Sequence, residues 1–239
     1  MALLPWRTGK LIQMADHGPD TRSFWFEVTE TPVFDFKPGQ FVTLDLPIHE
    51  KTNKRLRSYS IASWPDGTNV FELLIVMTPG GAGTSYLFTE LKKGDSIRFR
   101  GAQGVFTLPE PVNQELFMIC TGTGIAPFRS MLQAVKHQQI TAGNINLLFG
   151  CRTRADLLYY DELKNLEEAI PGFRFIPVLS RENWEGKTGY VHAEYEALCK
   201  DKPDALFFLC GWKNMVDEAR QRIRAMGYSD KMVHLELYG

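Results

Sequence analysis

The feature that most constrains this chain is a change of rhythm near Pro109. Before it, short apolar runs alternate with turn signals. After it, apolar runs of strand length alternate with stretches of helical length. In the first part, Ser23-Phe-Trp-Phe-Glu-Val28, Gln40-Phe-Val-Thr-Leu-Asp-Leu46 and Asn69-Val-Phe-Glu-Leu-Leu-Ile-Val-Met77 are rich in β-branched and aromatic residues and bounded by Pro, Gly or Asp, the marks of strands. Lys37-Pro-Gly39 and Lys93-Gly-Asp95 are turns placed just before strands. Such spacing predicts a small antiparallel barrel. In the second part, strands are expected over 115–120, 144–149, 173–179, 204–210 and 233–237, with helices from a Gly-rich turn to about 137, over 157–169 and over 215–226. Strand–helix alternation means a parallel sheet covered on both faces, with ligands at the carboxyl ends of its strands. The expected architecture is an N-terminal antiparallel β-barrel, residues 1–108, followed by a C-terminal parallel-sheet α/β domain, residues 109–239. The boundary falls where Gly and Pro cluster between Gly101 and Pro111.

Composition narrows the function. Apolar residues make up 44% of the 239, enough for a sizeable core, and the net charge of −1 argues against bulk electrostatic binding to nucleic acid or an anionic membrane. No apolar run is long enough to span a bilayer, and the start lacks a basic stretch followed by an apolar one, so a cytoplasmic protein is expected. Cys120, Cys151, Cys199 and Cys210 fall in none of the spacings of zinc sites or plant-type iron–sulfur clusters. No metal site is expected.

Three motifs carry chemistry. In Arg57-Ser-Tyr-Ser60, strand alternation puts Arg57 and Tyr59 on one face, Ser58 and Ser60 on the other. Arg pairs with phosphate and an aromatic ring stacks on a flat heterocycle; the same residues also suit a surface strand with a half-buried Tyr. In Pro79-Gly-Gly-Ala-Gly-Thr-Ser-Tyr86, glycines precede a helix-like start, either an anion site or a plain hairpin turn. Thr121-Gly-Thr-Gly-Ile-Ala-Pro-Phe-Arg129 follows an apolar strand and opens a helix, so a pyrophosphate can approach its backbone closely. It is not the G-x-G-x-x-G fingerprint, and the alternative is an ordinary strand-to-helix turn.

Taken in order, these motifs resemble the ferredoxin–NADP⁺ reductase family. The match continues in Cys210-Gly-Trp-Lys-Asn-Met215 and in the C-terminal Glu236-Leu-Tyr238, and so covers essentially the whole chain. Gly239 follows Tyr238, where plant-type members end on the tyrosine.

The resemblance implies that the barrel binds FAD and the α/β domain binds NADPH, with NADH as the alternative. Arg57 would pair with the FAD pyrophosphate, Tyr59 would stack on the isoalloxazine with Ser58 beside it, and Ser60 would hydrogen-bond near N5. Leu74, Ile75 and Val76 would meet the flavin edge through backbone groups, and Gly83, Thr84 and Ser85 would hold the FAD phosphates. Thr121, Gly122, Thr123 and Gly124 would receive the coenzyme pyrophosphate. Ser60, Cys210 and Glu236 would be the catalytic set, with Gly211 and Met215 lining the coenzyme and Tyr238 covering the nicotinamide face of the flavin. Cys210 also suits buried packing, and Glu236 a solvated terminal charge. Ser180 and Arg181 resemble the family's 2′-phosphate site, joined by Cys151, Arg152, Arg154, Lys187 and Tyr190, although Trp184-Glu-Gly-Lys-Thr-Gly-Tyr-Val191 also resembles a segment of NADH-using oxygenase reductases. The implied activity is hydride transfer between NADPH and FAD, with single electrons passed to or from a ferredoxin, a flavodoxin or another iron–sulfur carrier. The alternatives are an NADH-dependent reductase of an oxygenase, a free flavin reductase, and a flavin-binding electron-transfer subunit without turnover of its own. Basic and acidic residues nearly balance over the first 109 positions, so charge does not identify the carrier. Lys51, Lys54 and Arg55, or Lys92 and Lys93, could dock one or merely keep the loops soluble.

Overall fold

The computed structural model describes residues 4–140 and 142–238, Tyr238 by its backbone alone. Contacts divide the chain into two units: one takes residues up to Thr107 together with Arg129–Met131, the other Leu108–Phe128 and Leu132 onward.

The first unit contains β1 (Trp6–Asp16), β2 (Thr21–Val28), β3 (Phe41–Asp45), β4 (Leu56–Ser60), β5 (Val70–Val76), α1 (Ala82–Thr89) and β6 (Ser96–Gln103). The strands form one six-stranded sheet in the order β4-β3-β6-β1-β2-β5, antiparallel at every pairing. The end strands meet at the bridge Ile61–Leu73, so the sheet closes as a barrel. Its inward face is apolar: Leu11, Phe24, Phe26, Val42, Leu44, Phe71 and Phe99 are fully buried, each worth about 1.5–3 kcal/mol in transfer from water. The turn Lys93-Gly-Asp95 announces β6, where Arg98 and Arg100 alternate with buried Ile97 and Phe99, but the sequence pattern did not mark β1, where Arg7 and Lys10 flank the small Thr8 and Gly9. Pairing with β6 on one side and β2 on the other makes β1 a strand, with Gly9 lying against the rings of Phe26 and Phe99.

The second unit contains β7 (Glu115–Thr121), α2 (Ile125–His137) apart from Arg129–Met131, β8 (Ile145–Cys151), α3 (Tyr160–Ala169), β9 (Phe173–Leu179), β10 (Lys187–Thr188), α4 (Val191–Leu198), β11 (Ala205–Trp212), α5 (Lys213–Ala225) and β12 (Val233–Tyr238). The sheet order is β10-β9-β8-β7-β11-β12, parallel throughout. The chain steps outward from β7 to β10 and then continues on the other side of β7. The order therefore reverses between β7 and β11, and a crevice opens at the carboxyl ends of strands at such a point. The core strands are apolar on both faces, as a sheet covered on both sides requires. Helix α3 starts at Tyr160 instead of 157. Thr153 and Asp156 first close a reciprocal capping box around a short 3-10 turn, and Tyr159 then takes a left-handed conformation at φ 56°. Helix α4 and strand β10 lie in the segment that sequence patterning left as loop.

Among the described residues no helix is long and apolar enough to cross a membrane. No group of three or more His, Cys, Asp or Glu among them could hold a metal ion.

Candidate functional site

In the first unit, the phosphate motif and the Arg57 motif come together. Helix α1 starts at Ala82 behind Gly81, with no side chain capping its first N–H groups. A Cβ added to Gly83 would lie 3.1 Å from both Cγ and Nε of Arg57, so the bare backbone lies directly against the guanidinium stem. Nη1 of Arg57 donates to the carbonyls of Lys54 at 3.0 Å and Leu56 at 2.8 Å. Those bonds hold the side chain in place and leave its other nitrogens without a protein partner among the described residues. A fixed guanidinium beside an uncapped helix N-terminus is the donor set that a diphosphate needs. The Thr84 hydroxyl donates to the carbonyl of Gly81 and accepts from the N–H of Thr78 at 3.1 Å. It braces the turn. Ser85 follows, its N–H already given to the carbonyl of Gly81 at 2.9 Å.

The same unit provides an edge for a flat ring. Beyond the Ile61–Leu73 bridge, β4 and β5 part, and β5 pairs only with β2. Leu74 and Ile75 bury their side chains, so backbone is what they and Val76 present along this edge. Opposite them on β4, Tyr59 is half-buried and burial pushes its hydroxyl up to about 12; it stays un-ionised at any working pH. Ser60 is buried, whereas Ser58 is exposed and its hydroxyl meets Thr43 Oγ1 at 3.0 Å. A buried carboxylate missed by motif reading lies nearby. Glu72, 2% exposed, accepts from Ser23 Oγ at 2.6 Å and from Arg129 Nη1 at 2.7 Å. Arg129 also donates to the carbonyl of Ala62 at 2.9 Å. The one signal for it was a lone charge inside the apolar run of β5.

In the second unit, two turns interlock at the switch point. A Cβ on Gly124 would fall under 3.0 Å from the carbonyl of Cys210, and one on Gly211 would fall 2.5 Å from Thr121 Oγ1. Gly211 sits at φ +138°, a conformation that L side chains rarely adopt. Thr121 Oγ1 accepts from the N–H of Trp212 at 3.3 Å. The glycines of both motifs are thus needed for this approach, and the 3-10 turn at residues 122–124 leads into α2 without a side-chain cap. Cys120, Cys210 and Glu236 are register partners across β7, β11 and β12, which places them in one row beside Thr121. Burial holds the Cys120 thiol well above its usual range. Met215 packs against the core of this unit. Trp212 pairs with Tyr238 in register, but the tyrosine side chain lies outside the described residues.

The remaining expected residues form a second cluster, further along the same sheet end. The N–H and Oγ of Ser180 donate to the carbonyl of Cys151 at 3.0 and 3.1 Å, and the N–H of Arg181 to the carbonyl of Arg152 at 2.9 Å. Cys151 gives its thiol to the carbonyl of Thr153 and is held up to about 12 by burial and then by Asp156, so it is no thiolate. Tyr190 is 74% exposed, open for a flat ring to pack on it.

The chain matches two families. Residues 8–108 match the oxidoreductase FAD-binding domain, and residues 118–221 match the oxidoreductase NAD-binding domain. It is 35% identical over 238 residues to ferredoxin–NADP reductase B of Sorangium cellulosum, covering 96% of each chain. It is 29% identical to the glycine betaine monooxygenase reductase subunit of Pseudomonas aeruginosa, covering 98% of this chain and 66% of that one; it therefore spans just under two thirds of that relative. A crystal structure of a ferredoxin NADP⁺ reductase from Neisseria gonorrhoeae with bound FAD and NADP superposes with a TM-score of 0.80 at 27% identity, covering 97% of this chain and 98% of that one.

Proposed function

We propose, from the premise that this chain belongs to the ferredoxin–NADP reductase family of FAD- and NAD(P)-binding oxidoreductases, that it moves a hydride between NADPH and FAD and passes single electrons to or from a ferredoxin or flavodoxin. The observation that carries this reading is end-to-end likeness to a ferredoxin–NADP reductase of the same extent, at 96% of both chains. The phosphate cradle at Arg57 and Gly83 supports it, because a site built to hold a diphosphate suits retained FAD better than transient free flavin. We assign residues 1–108 to FAD and 109–239 to the coenzyme.

When bound, FAD supplies the exchange between two-electron and one-electron chemistry that no side chain provides. The protein's part is to bind, orient and exclude water. Arg57 and the α1 backbone hold the FAD diphosphate. Tyr59, neutral and half-buried, stacks on the ring, while the backbone at Leu74, Ile75 and Val76 fixes its edge. Ser60 hydrogen-bonds near N5. Residues 121–124 hold the coenzyme diphosphate on backbone N–H groups, and Cys210 and Glu236, on adjoining strands, flank the nicotinamide. Glu236 holds the proton balance there.

A second reading, the reductase of an oxygenase using NADH, draws on the likeness to the glycine betaine monooxygenase reductase subunit. Anaerobic titration of the purified, FAD-loaded protein with NADPH and then NADH separates the two. Flavin bands bleached preferentially by NADPH are expected. Preferential bleaching by NADH moves the function to the oxygenase type, and a colourless protein that FAD does not restore overturns both.

A further inference from the structure

We propose that Glu182 and Glu185 are specificity-determining residues that weaken this chain's grip on a coenzyme 2′-phosphate. The inference rests on the reading of Ser180 and Arg181 as the 2′-phosphate subsite. Four basic residues cluster there, yet three are already neutralised. Arg152 pairs with Asp156 at 3.4 Å and Lys187 with Glu194 at 3.1 Å. Arg154 is held twice: its backbone N–H donates to Glu182 Oε2 at 2.7 Å and its Nη1 to Glu185 Oε1 at 3.1 Å. Among the described residues, Arg181 alone of the four makes no ion pair.

The carboxylates stand on a braced loop. Between them, Trp184 donates its indole N–H to the carbonyl of Lys187 at 2.7 Å and sets its ring edge-on to Tyr160 at 6.5 Å. Gly186 lies so close to that indole that a Cβ would collide with it. The loops after β8 and β9 are laced by the backbone bonds of Ser180 and Arg181, which fixes Arg154 and Glu182 near the same subsite.

A phosphate arriving beside Arg181 carries close to two negative charges at neutral pH and enters the field of both carboxylates. It must also compete with Glu185 for the Arg154 guanidinium. A 2′-hydroxyl meets no such repulsion and can donate to a carboxylate. Arg154 and Glu185 are 58% and 67% exposed, so water and salt weaken the effect without abolishing it.

The test uses the full FAD-loaded chain. Adenosine 2′,5′-bisphosphate and 5′-AMP are titrated by calorimetry into the wild type, the double variant E182Q/E185Q and Arg181→Ala. Gln keeps an acceptor for the Arg154 N–H while removing the charge. The double variant is expected to bind the bisphosphate about 3- to 10-fold more tightly, with 5′-AMP changed less than about twofold. The gain should shrink as ionic strength rises, which a merely structural role would not produce. The NADPH-to-NADH ratio of kcat/KM should rise by a similar factor. Should the double variant fold poorly, the exposed single change Glu185→Gln carries the same test with a smaller gain. Unchanged bisphosphate affinity at low salt overturns the proposal. If Arg181→Ala weakens the bisphosphate while the Glu variants do nothing, the subsite stands and only this inference falls. If Arg181→Ala has no effect either, the subsite reading falls with it.

Discussion

The glycine-rich turn of the first unit lies against a guanidinium, whereas that of the second lies against another stretch of backbone. At Gly83 the nearest atoms to an added Cβ belong to the Arg57 side chain; at Gly124 they belong to the main chain of Cys210 and Gly211. A side chain can swing away and a packed backbone cannot. The glycine in the first unit therefore lies against a side chain that can give way, while the glycine in the second is part of the fold itself. Charge divides the same way. The first unit sets its cation against the turn, as Arg57 on β4. The second leaves the turn uncharged and sets its basic residues apart, after β8 and β9, where most are tied to carboxylates.

The sharpest way to break this comparison is Gly124→Ala. Forcing a methyl against the Cys210 carbonyl should destabilise the second unit by about 3 kcal/mol, read as a shift of its urea transition with the barrel little changed. A Gly124→Ala protein as resistant to urea as the parent would show that the interlock yields, and the contrast would fail. Next in size is Arg57→Ala. Losing a charged partner for the diphosphate should weaken FAD binding about 10- to 100-fold by equilibrium dialysis. The apo-protein's stability should move by less than about 0.5 kcal/mol, as for other changes outside a packed core. A large loss of apo stability would make Arg57 a structural residue. Gly83→Ala should do less: the Arg57 stem shifts, stability falls by under about 1 kcal/mol, and FAD binds a few-fold more weakly. A stability loss matching that of Gly124→Ala would erase the difference between the two turns.

The smallest expected effect is on pH. Burial is the main cause that lowers the pKa of His17 in the first unit and of His192 and His234 in the second. An unfolded histidine titrates near 6.5. Below that pH the unfolded chain takes up protons that the folded chain resists, so stability is full above about pH 6.5 and declines as pH falls through it. Thermal midpoints should be level from pH 7 to 8 and drop on acidification, more in the second unit with its two such histidines. A midpoint that rises between pH 7 and 6 contradicts the assignment.

Much of the fold was legible because its signals are local. The strand at 173–179 was read as it stands. The misses have identifiable causes. β1 carries Arg7, Gly9 and Lys10 through a ladder that only its neighbours β2 and β6 complete. Helix α4 is eight residues long and follows a glycine-rich loop. Helix α3 is delayed by the capping box at Thr153 and the left-handed Tyr159.

The sequence alone determined the kind of most major elements, the two successive architectures and the succession of glycine-rich turns. Apolar period, turn residues and glycine spacing act within a few positions of one another. Only the tertiary structure decided which charged groups pair with one another. Glu72 finds Arg129 across 57 positions, and Arg154 finds Glu182 and Glu185 across 28 and 31. Ion pairing depends on distance in space between segments remote in the chain. A basic residue and its neutralising partner therefore look equally free until the backbone brings them together.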